Sequence, residues 1–249
     1  MIDNRSFKEV WQTSRKHFTS GDLKIIACGA MFLSHLAQSG FLYGFDCVKL
    51  ADLFTLIGRI SMPLFCFMVV QGIILSENKE KYLKRLLIFA LISEIPFDLA
   101  FEDSFFNIYS QNVFFSLFLG ALMVYIWEMI QSSHINNTLK LCGGIIIFLA
   151  ISFIARLFMT DYDAYAIFAI ALLYFAKDNR LLTGLAILIG FAFEANFTGM
   201  ELTIPYIVYL SISLILLYNG KRGSYNRWYF YGFYPAHLIV IYLLKVILF

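Results

Sequence analysis

The chain consists of long apolar runs separated by short polar connections. A helix that spans a bilayer needs about 20 mostly apolar residues, so the pattern predicts an all-α polytopic membrane protein with about nine transmembrane helices in one bundle. The runs cover residues 23–45, 53–75, 82–101, 112–130, 139–158, 162–176, 181–195, 202–218 and 228–249. We expect a cytoplasmic N-terminal segment at residues 1–22 and a single transmembrane helical domain at residues 23–249.

The composition supports this class. Hydrophobic residues make up 60% of the chain and charged residues 14%, whereas soluble globular proteins have about 45–50% apolar and 25% charged residues. A soluble globular domain is therefore excluded. The four cysteines are scattered, and no Cys/His spacing typical of a metal site occurs. We expect neither a metal nor a nucleic-acid partner.

Charged residues are divided unevenly between the two sets of connections. The basic set is Arg5, Lys8, Arg15, Lys16, Lys24, Lys79, Lys81, Lys84, Arg85, Lys140, Lys177, Arg180, Lys221, Arg222 and Arg227. The opposite, acidic set is Asp46, Asp52, Glu102, Asp103, Asp161, Asp163, Glu194 and Glu201, with only Lys49 and Lys245 as cations. Because basic loops stay inside, the N-terminus is expected in the cytoplasm and the protein in the inner (cytoplasmic) membrane.

Arg59 lies inside the second apolar run. An arginine at the centre of a transmembrane helix costs roughly 2.5–3.5 kcal/mol on insertion scales, and this cost indicates a polar partner or a hydrated cavity. The alternative is that Arg59 lies close enough to the end of its run to extend its guanidinium group to the membrane surface.

Three other ionisable residues fall at a similar depth. A rise of 1.5 Å per residue places His35 and Glu94 roughly 18 Å from the cytoplasmic end of their runs, His237 roughly 14 Å and Arg59 roughly 24 Å. Each has a structural alternative: the histidines as hydrogen-bonded packing residues, and Glu94 as the counter-ion of Arg59. Together they predict one polar layer within the bundle.

Group transfer is the chemistry that fits this layer. A neutral imidazole takes a proton from an amine or hydroxyl near pH 7, a fixed guanidinium stabilises an oxyanion, and a carboxylate orients the imidazole. Proton-coupled transporters also carry such residues within the membrane. A small-solute transporter or flippase is therefore the alternative function, and an assembly factor held by a buried salt-bridge network is a third.

Several blocks of the chain resemble the TraX family of membrane proteins. They are LKIIACGAMFLSHL (23–36), IGRISMPLFCFMVVQGI (57–73), KYLKRLLIFALISEIPFDL (81–99), NVFFSLFLG (112–120), DYDAYAIFAIALLYF (161–175) and FYPAHLIVIYLL (233–244). The resemblance implies an acetyltransferase, since the founding member acetylates the N-terminal amine of conjugative pilin. In plan the family is similar to multi-span bacterial acyltransferases that use cytoplasmic acyl-CoA.

The resemblance also implies roles for individual residues. His35 matches the first-span histidine, the base, and Arg59 matches the arginine of the second motif, an oxyanion stabiliser. The family commonly has an acid directly before this histidine, where this chain has Ser34, so we expect Glu94 to supply the missing carboxylate. The remaining matched polar positions are expected to bind substrate: Asn112, Asp161, Tyr162 and His237.

Acetyl-CoA is the expected co-substrate. Coenzyme A is polyanionic, and the cytoplasmic connections offer Arg85, Lys84, Lys81 and Arg222 for its phosphates. Arg85 matches the arginine at the head of the family's third span. Positive-inside topology alone is the alternative explanation of these cations. A peptide amine, a glycan hydroxyl and a small molecule are the alternative acceptors.

Overall fold

The structure is a computed structural model that describes residues 9–11, 17–197 and 205–249. Its helices, in chain order, are α1 (Ser20–Gln38), α2 (Val48–Gly58), α3 (Ser61–Leu75), α4 (Lys79–Phe101), α5 (Val113–Ser132), α6 (Asn137–Leu157), α7 (Asp163–Ala176), α8 (Arg180–Phe197), α9 (Pro205–Val208), α10 (Leu210–Leu216) and α11 (Arg227–Leu248). The described β-structure is limited to isolated bridges. Of the charged residues assigned to loops above, Arg5, Lys8, Arg15, Lys16 and Glu201, and the side chains of Glu194 and Arg227, lie outside the described part.

The predicted class, an all-α membrane protein, is confirmed. Among the described residues, four helical stretches are long and apolar enough to cross a membrane: Val48–Leu75, Val113–Ser132, Asn137–Leu157 and Trp228–Leu248. Shorter apolar helices cover Asp163–Ala176, Arg180–Ala192 and Tyr206–Leu216. The number of nine crossings stays a prediction.

Helix α3 is the central helix of the bundle. Apart from Ser61 and Gln71 its side chains are apolar, and almost all of them are buried, as Leu64 and Ile73 illustrate. It packs against α1, α5 and α7. A helix that is hydrophobic all round is stable only when neighbours cover it, so α3 positions the surrounding helices.

The apolar run at residues 53–75 was predicted as one helix and is instead broken at Arg59. Helix α2 ends at Gly58, and α3 begins at Ser61. Pro63 has no N–H to donate to the carbonyl of Arg59, which removes one helical hydrogen bond at this point. The Ser61 hydroxyl donates to the carbonyl of Gly58 at 2.7 Å. The break places Arg59 between two helices.

The predicted separation of basic and acidic connections has a structural counterpart. At one end, the backbone of residues 17–21 is hydrogen-bonded to residues 217–222, and Arg180 donates to a carbonyl of that segment at 3.2 Å. At the opposite end, Gln111 and Thr160 form a β-bridge between the loops that precede α5 and α7.

Part of the predicted N-terminal segment packs against the bundle. Trp11 is fully buried, and its indole N–H donates to the carbonyl of Lys177 at 2.8 Å. Arg180 donates to the carbonyls of Val10 and Trp11, both at 3.0 Å. The division after residue 22 stays a prediction.

Candidate active site

A cavity of about 550 Å³ lies beside the break between α2 and α3. His35 from α1, Arg59 from the break, and Asp161 and Tyr162 from the loop before α7 all line it. The structure therefore brings together four of the residues singled out in the sequence. One cavity therefore holds an imidazole, a guanidinium and a carboxylate.

His35 is held by His237 of α11. Nδ1 of His35 lies 2.8 Å from Nε2 of His237, and Nδ1 of His237 lies 2.9 Å from the carbonyl oxygen of Phe233. Both rings are buried, with 9% and 5% of their residue surface exposed. His237, predicted to bind substrate, therefore contacts the predicted base.

Glu94 does not contact His35, contrary to our expectation. Its carboxylate accepts hydrogen bonds from the backbone N–H and the side-chain amide of Asn112. Asn112 also donates to the carbonyl of Ala90 at 2.8 Å and caps α5 by accepting from the N–H of Phe114 at 3.0 Å. Glu94 and Asn112 thus join α4 to the start of α5, and within the described residues Glu94 forms no ion pair with Arg59.

The loop that carries Asp161 and Tyr162 is fastened to α5. The Asp161 N–H donates to the carbonyl of Gln111 at 2.8 Å, and the Ser116 hydroxyl donates to the carbonyl of Asp161. Tyr162 has φ +65°, in the left-handed region that non-glycine residues rarely adopt. These contacts hold both side chains at the wall of the cavity.

A second cavity, of about 370 Å³, lies at the basic end of the bundle. It is lined by the cations Lys24, Arg85 and Arg222 and by Gln71. Nε of Arg85 is buried and makes no hydrogen bond within the described ranges, whereas the Gln71 amide lies in hydrogen-bonding contact with Tyr218, which also lines the cavity. A buried guanidinium nitrogen of this kind normally has a polar partner, which makes this cavity a candidate site for an anion.

Two of the four predicted coenzyme-A contacts do not reach this cavity. Lys81 and Lys84 are exposed on α4 and are absent from its wall, whereas Arg85 and Arg222 line it. The reason is the helical period: Arg85 turns inward to within 5.8 Å of the Tyr82 ring, and its neighbour Lys84 faces outward.

Phe65 of α3 lines both cavities. The cationic cavity and the His35 cavity therefore adjoin at this residue. The sequence reasoning missed Phe65 because nothing distinguishes it from the other phenylalanines of the chain. It also missed Gln71, although a glutamine within an apolar run is a detectable signal.

The fold and these cavities define an integral membrane protein with a polar site inside the bundle and a cationic cavity next to it. The chain belongs to the TraX family, since the family model described as "TraX protein" matches residues 20–245. A protein of Dichelobacter nodosus named "Probable fimbrial assembly protein FimC, serogroup H1" is 32% identical over 247 residues, which cover 90% of this chain and 94% of that protein. No solved structure matches the chain.

Proposed function

We propose that this protein is a membrane acyltransferase that moves an acetyl group from acetyl-CoA to an amine or hydroxyl acceptor. The observation that carries the proposal is that His35 and Arg59 line one cavity. Phe65 lines both this cavity and the cationic cavity. A base and an oxyanion stabiliser at one site, adjoining a site for a polyanion, are what such a transfer needs.

The cationic cavity fits the phosphate groups of coenzyme A. Lys24, Arg85 and Arg222 supply positive charge, and Nε of Arg85 supplies a buried donor. Charge-assisted hydrogen bonds from guanidinium groups to phosphate are among the strongest in proteins. When bound, acetyl-CoA supplies an acetyl group activated as a thioester.

The residues of the His35 cavity then perform the transfer. Nε2 of His35 removes a proton from the acceptor nitrogen or oxygen as that atom bonds to the acetyl carbon. Arg59 stabilises the negative charge that develops on the acetyl oxygen. The carbon–sulfur bond breaks, and His35 returns the proton to the departing sulfur. Asp161 attracts an amine acceptor that arrives as an ammonium ion, and this ion loses one proton to solvent before its nitrogen attacks.

The expected orientation of the bundle is consistent with a coenzyme-A site at one end and a transfer site nearer the other. We infer about nine crossings, with the N-terminus in the cytoplasm and the protein in the inner membrane, because the basic connections gather at one end. The cationic cavity then opens toward the cytoplasm, where acetyl-CoA is available. The His35 cavity lies in the opposite half of the bundle.

A peptide N-terminal amine is the acceptor we favour. The Dichelobacter relative is named as a fimbrial assembly protein, and a fimbrial subunit offers a terminal amine that acetylation would neutralise. A hydroxyl acceptor uses the same base, so the two are distinguished by experiment. One peptide has a free N-terminal amine and no hydroxyl side chain. The second has a blocked N-terminus and a serine hydroxyl as its acceptor.

The test is acetyl transfer by the purified protein, followed as release of the coenzyme-A thiol and as mass increase of the peptide. We expect His35→Ala and Arg59→Ala each to lower turnover by about 10²-fold or more. Ile145→Ala is the control, because that side chain is exposed on α6. Wild-type turnover in both site variants, or no transfer by the wild type, would overturn the proposal.

The ionisable residues of the His35 cavity make transport a second candidate function, since proton-coupled transporters also carry such residues within the membrane. Coenzyme A distinguishes the two functions. A ligand that binds the folded state tightly raises thermal stability by mass action, so an acyltransferase is stabilised by coenzyme A in an Arg85-dependent manner. A transporter of unrelated cargo shows no such shift.

A further inference from the structure

We propose that His237 is a positioning residue that holds His35 in the tautomer with its proton on Nδ1. This inference rests on the proposed function, because it assigns His35 the role of a base. The hydrogen-bonded chain runs from His35 through His237 to the backbone carbonyl of Phe233. Each link in the chain determines where the next proton lies.

The carbonyl of Phe233 determines the tautomer of His237. A carbonyl oxygen only accepts hydrogen bonds, so Nδ1 of His237, 2.9 Å away, carries a proton. Phe233 lies one helical turn before His237 on α11, which makes this contact local and independent of other helices. In the neutral ring, Nε2 of His237 is therefore an acceptor.

The tautomer of His35 follows from that of His237. Nδ1 of His35 lies 2.8 Å from the accepting Nε2 of His237, so it carries the proton and donates it. The rings are nearly parallel, at 16°, which allows a hydrogen bond between nitrogens in the ring planes. Nε2 of His35 is left with its lone pair and has no hydrogen bond within the described ranges. It is the nitrogen that a general base requires.

Aromatic side chains enclose the pair and fix its orientation. Phe101 and Tyr234 meet the His35 ring edge-on, with ring centroids 5.2 and 5.9 Å away. Phe233 is stacked on His237 at 4.8 Å. Because burial among such rings disfavours a charge on either imidazole, the neutral pair is the resting form.

In the serine hydrolases a carboxylate holds the catalytic imidazole in its correct tautomer and orientation. Here a neutral imidazole makes the equivalent hydrogen bond, and Glu94 is occupied by Asn112. His35 is thus oriented by a partner 202 residues away in the chain, although the residue before it is Ser34 and not an acid. No buried negative charge is needed to orient the base.

The experiment uses the full-length protein in detergent. His237→Phe keeps a flat ring without an acceptor, and His237→Gln restores an acceptor near the position of Nε2. We expect His237→Phe to lower kcat roughly 10- to 100-fold with KM for acetyl-CoA and acceptor unchanged, and His237→Gln to recover most of the loss. Val240→Ala, on the same helix but half-exposed, is the control.

A second readout needs no activity. In protein labelled with ¹⁵N-histidine, nitrogen chemical shifts separate a protonated ring nitrogen from one with a lone pair. The signals of His35 should show a protonated Nδ1 and a bare Nε2 in the wild type, and should shift toward the other tautomer in His237→Phe. If the wild type fails to transfer acetyl groups, the proposed function is wrong while this readout still decides the tautomer.

Three results would overturn the inference. One is a protonated Nε2 on His35 in the wild type. Another is a His237→Phe protein that turns over at the wild-type rate. The third is a folded His237→Gln protein as inactive as His237→Phe, since it would show that the acceptor is not what matters.

Discussion

Gly58 at the end of α2 lies so close to Ser34 of α1 that a methyl group at Gly58 would overlap the Ser34 side chain and come within 3.2 Å of its Cα atom. Ser34 precedes His35, and both Gly58 and Ser34 line the His35 cavity. The width of that cavity therefore depends on the close approach of two helices, which the absence of a side chain at Gly58 allows.

We expect Gly58→Ala to push α2 away from α1 and to destabilise the protein by about 1–3 kcal/mol, the usual cost of overpacking. Thermal unfolding in detergent measures this change, and acetyl transfer should fall with it. Gly29→Ala is the matched control, because a methyl group there meets nothing within 4 Å and alanine is the better helix former. Equal unfolding temperatures for the two variants would contradict the prediction.

Arg85 and Lys84 are adjacent on α4, but only Arg85 lines the cationic cavity. Arg85→Ala should raise KM for acetyl-CoA by roughly 10-fold or more, the loss of a charge-assisted contact to phosphate. Lys84→Ala should leave KM within about twofold, since an exposed cation is screened by solvent and salt. Steady-state kinetics over a range of acetyl-CoA concentrations checks both. Similar effects of the two substitutions would show that net charge, and not the cavity, binds coenzyme A.

Phe65 lines both cavities and is expected to limit the length of the acyl group. Phe65→Ala should increase the rate with butanoyl-CoA relative to acetyl-CoA, because removal of the ring enlarges the space near His35. Met68 lines only the cationic cavity, so Met68→Ala should leave this ratio unchanged. Competition between the two thioesters, read by mass spectrometry of the acceptor, measures the ratio. An unchanged ratio in Phe65→Ala would contradict the assignment.

Glu94 and Asn112 form a buried pair, and their effect should be on stability. Glu94→Gln should lower the unfolding temperature and reduce kcat far less than His35→Ala, because Glu94 does not contact His35. A double-mutant cycle with Asn112→Ala should give a coupling energy of about 0.5–3 kcal/mol, as for residues in direct contact. Equal losses of kcat in Glu94→Gln and His35→Ala at unchanged stability would restore Glu94 to the catalytic site.

The helical class and the membrane location could be predicted from the sequence, because both depend on the length and composition of each apolar run. The candidate site was predictable in part for the same reason. An ionisable residue in an apolar run needs a partner or a polar cavity wherever the run packs, which identified His35, Arg59 and His237 before any contact was known. The break at Arg59 also had a signal, in Gly58 and Pro63, which the length of the run obscured.

The pairing of these residues was decided by the tertiary structure alone. A helix turns 100° per residue, so neighbours such as Lys84 and Arg85 face opposite surroundings, and an error of two to four residues at a boundary changes the direction in which a side chain points. Because Glu94 and His237 both lie at a depth similar to that of His35, the sequence did not distinguish between them as partners of His35. The rotation and packing of α4 and α11 direct Glu94 to Asn112 and His237 to His35, because hydrogen bonds form only where donor and acceptor meet within about 3 Å.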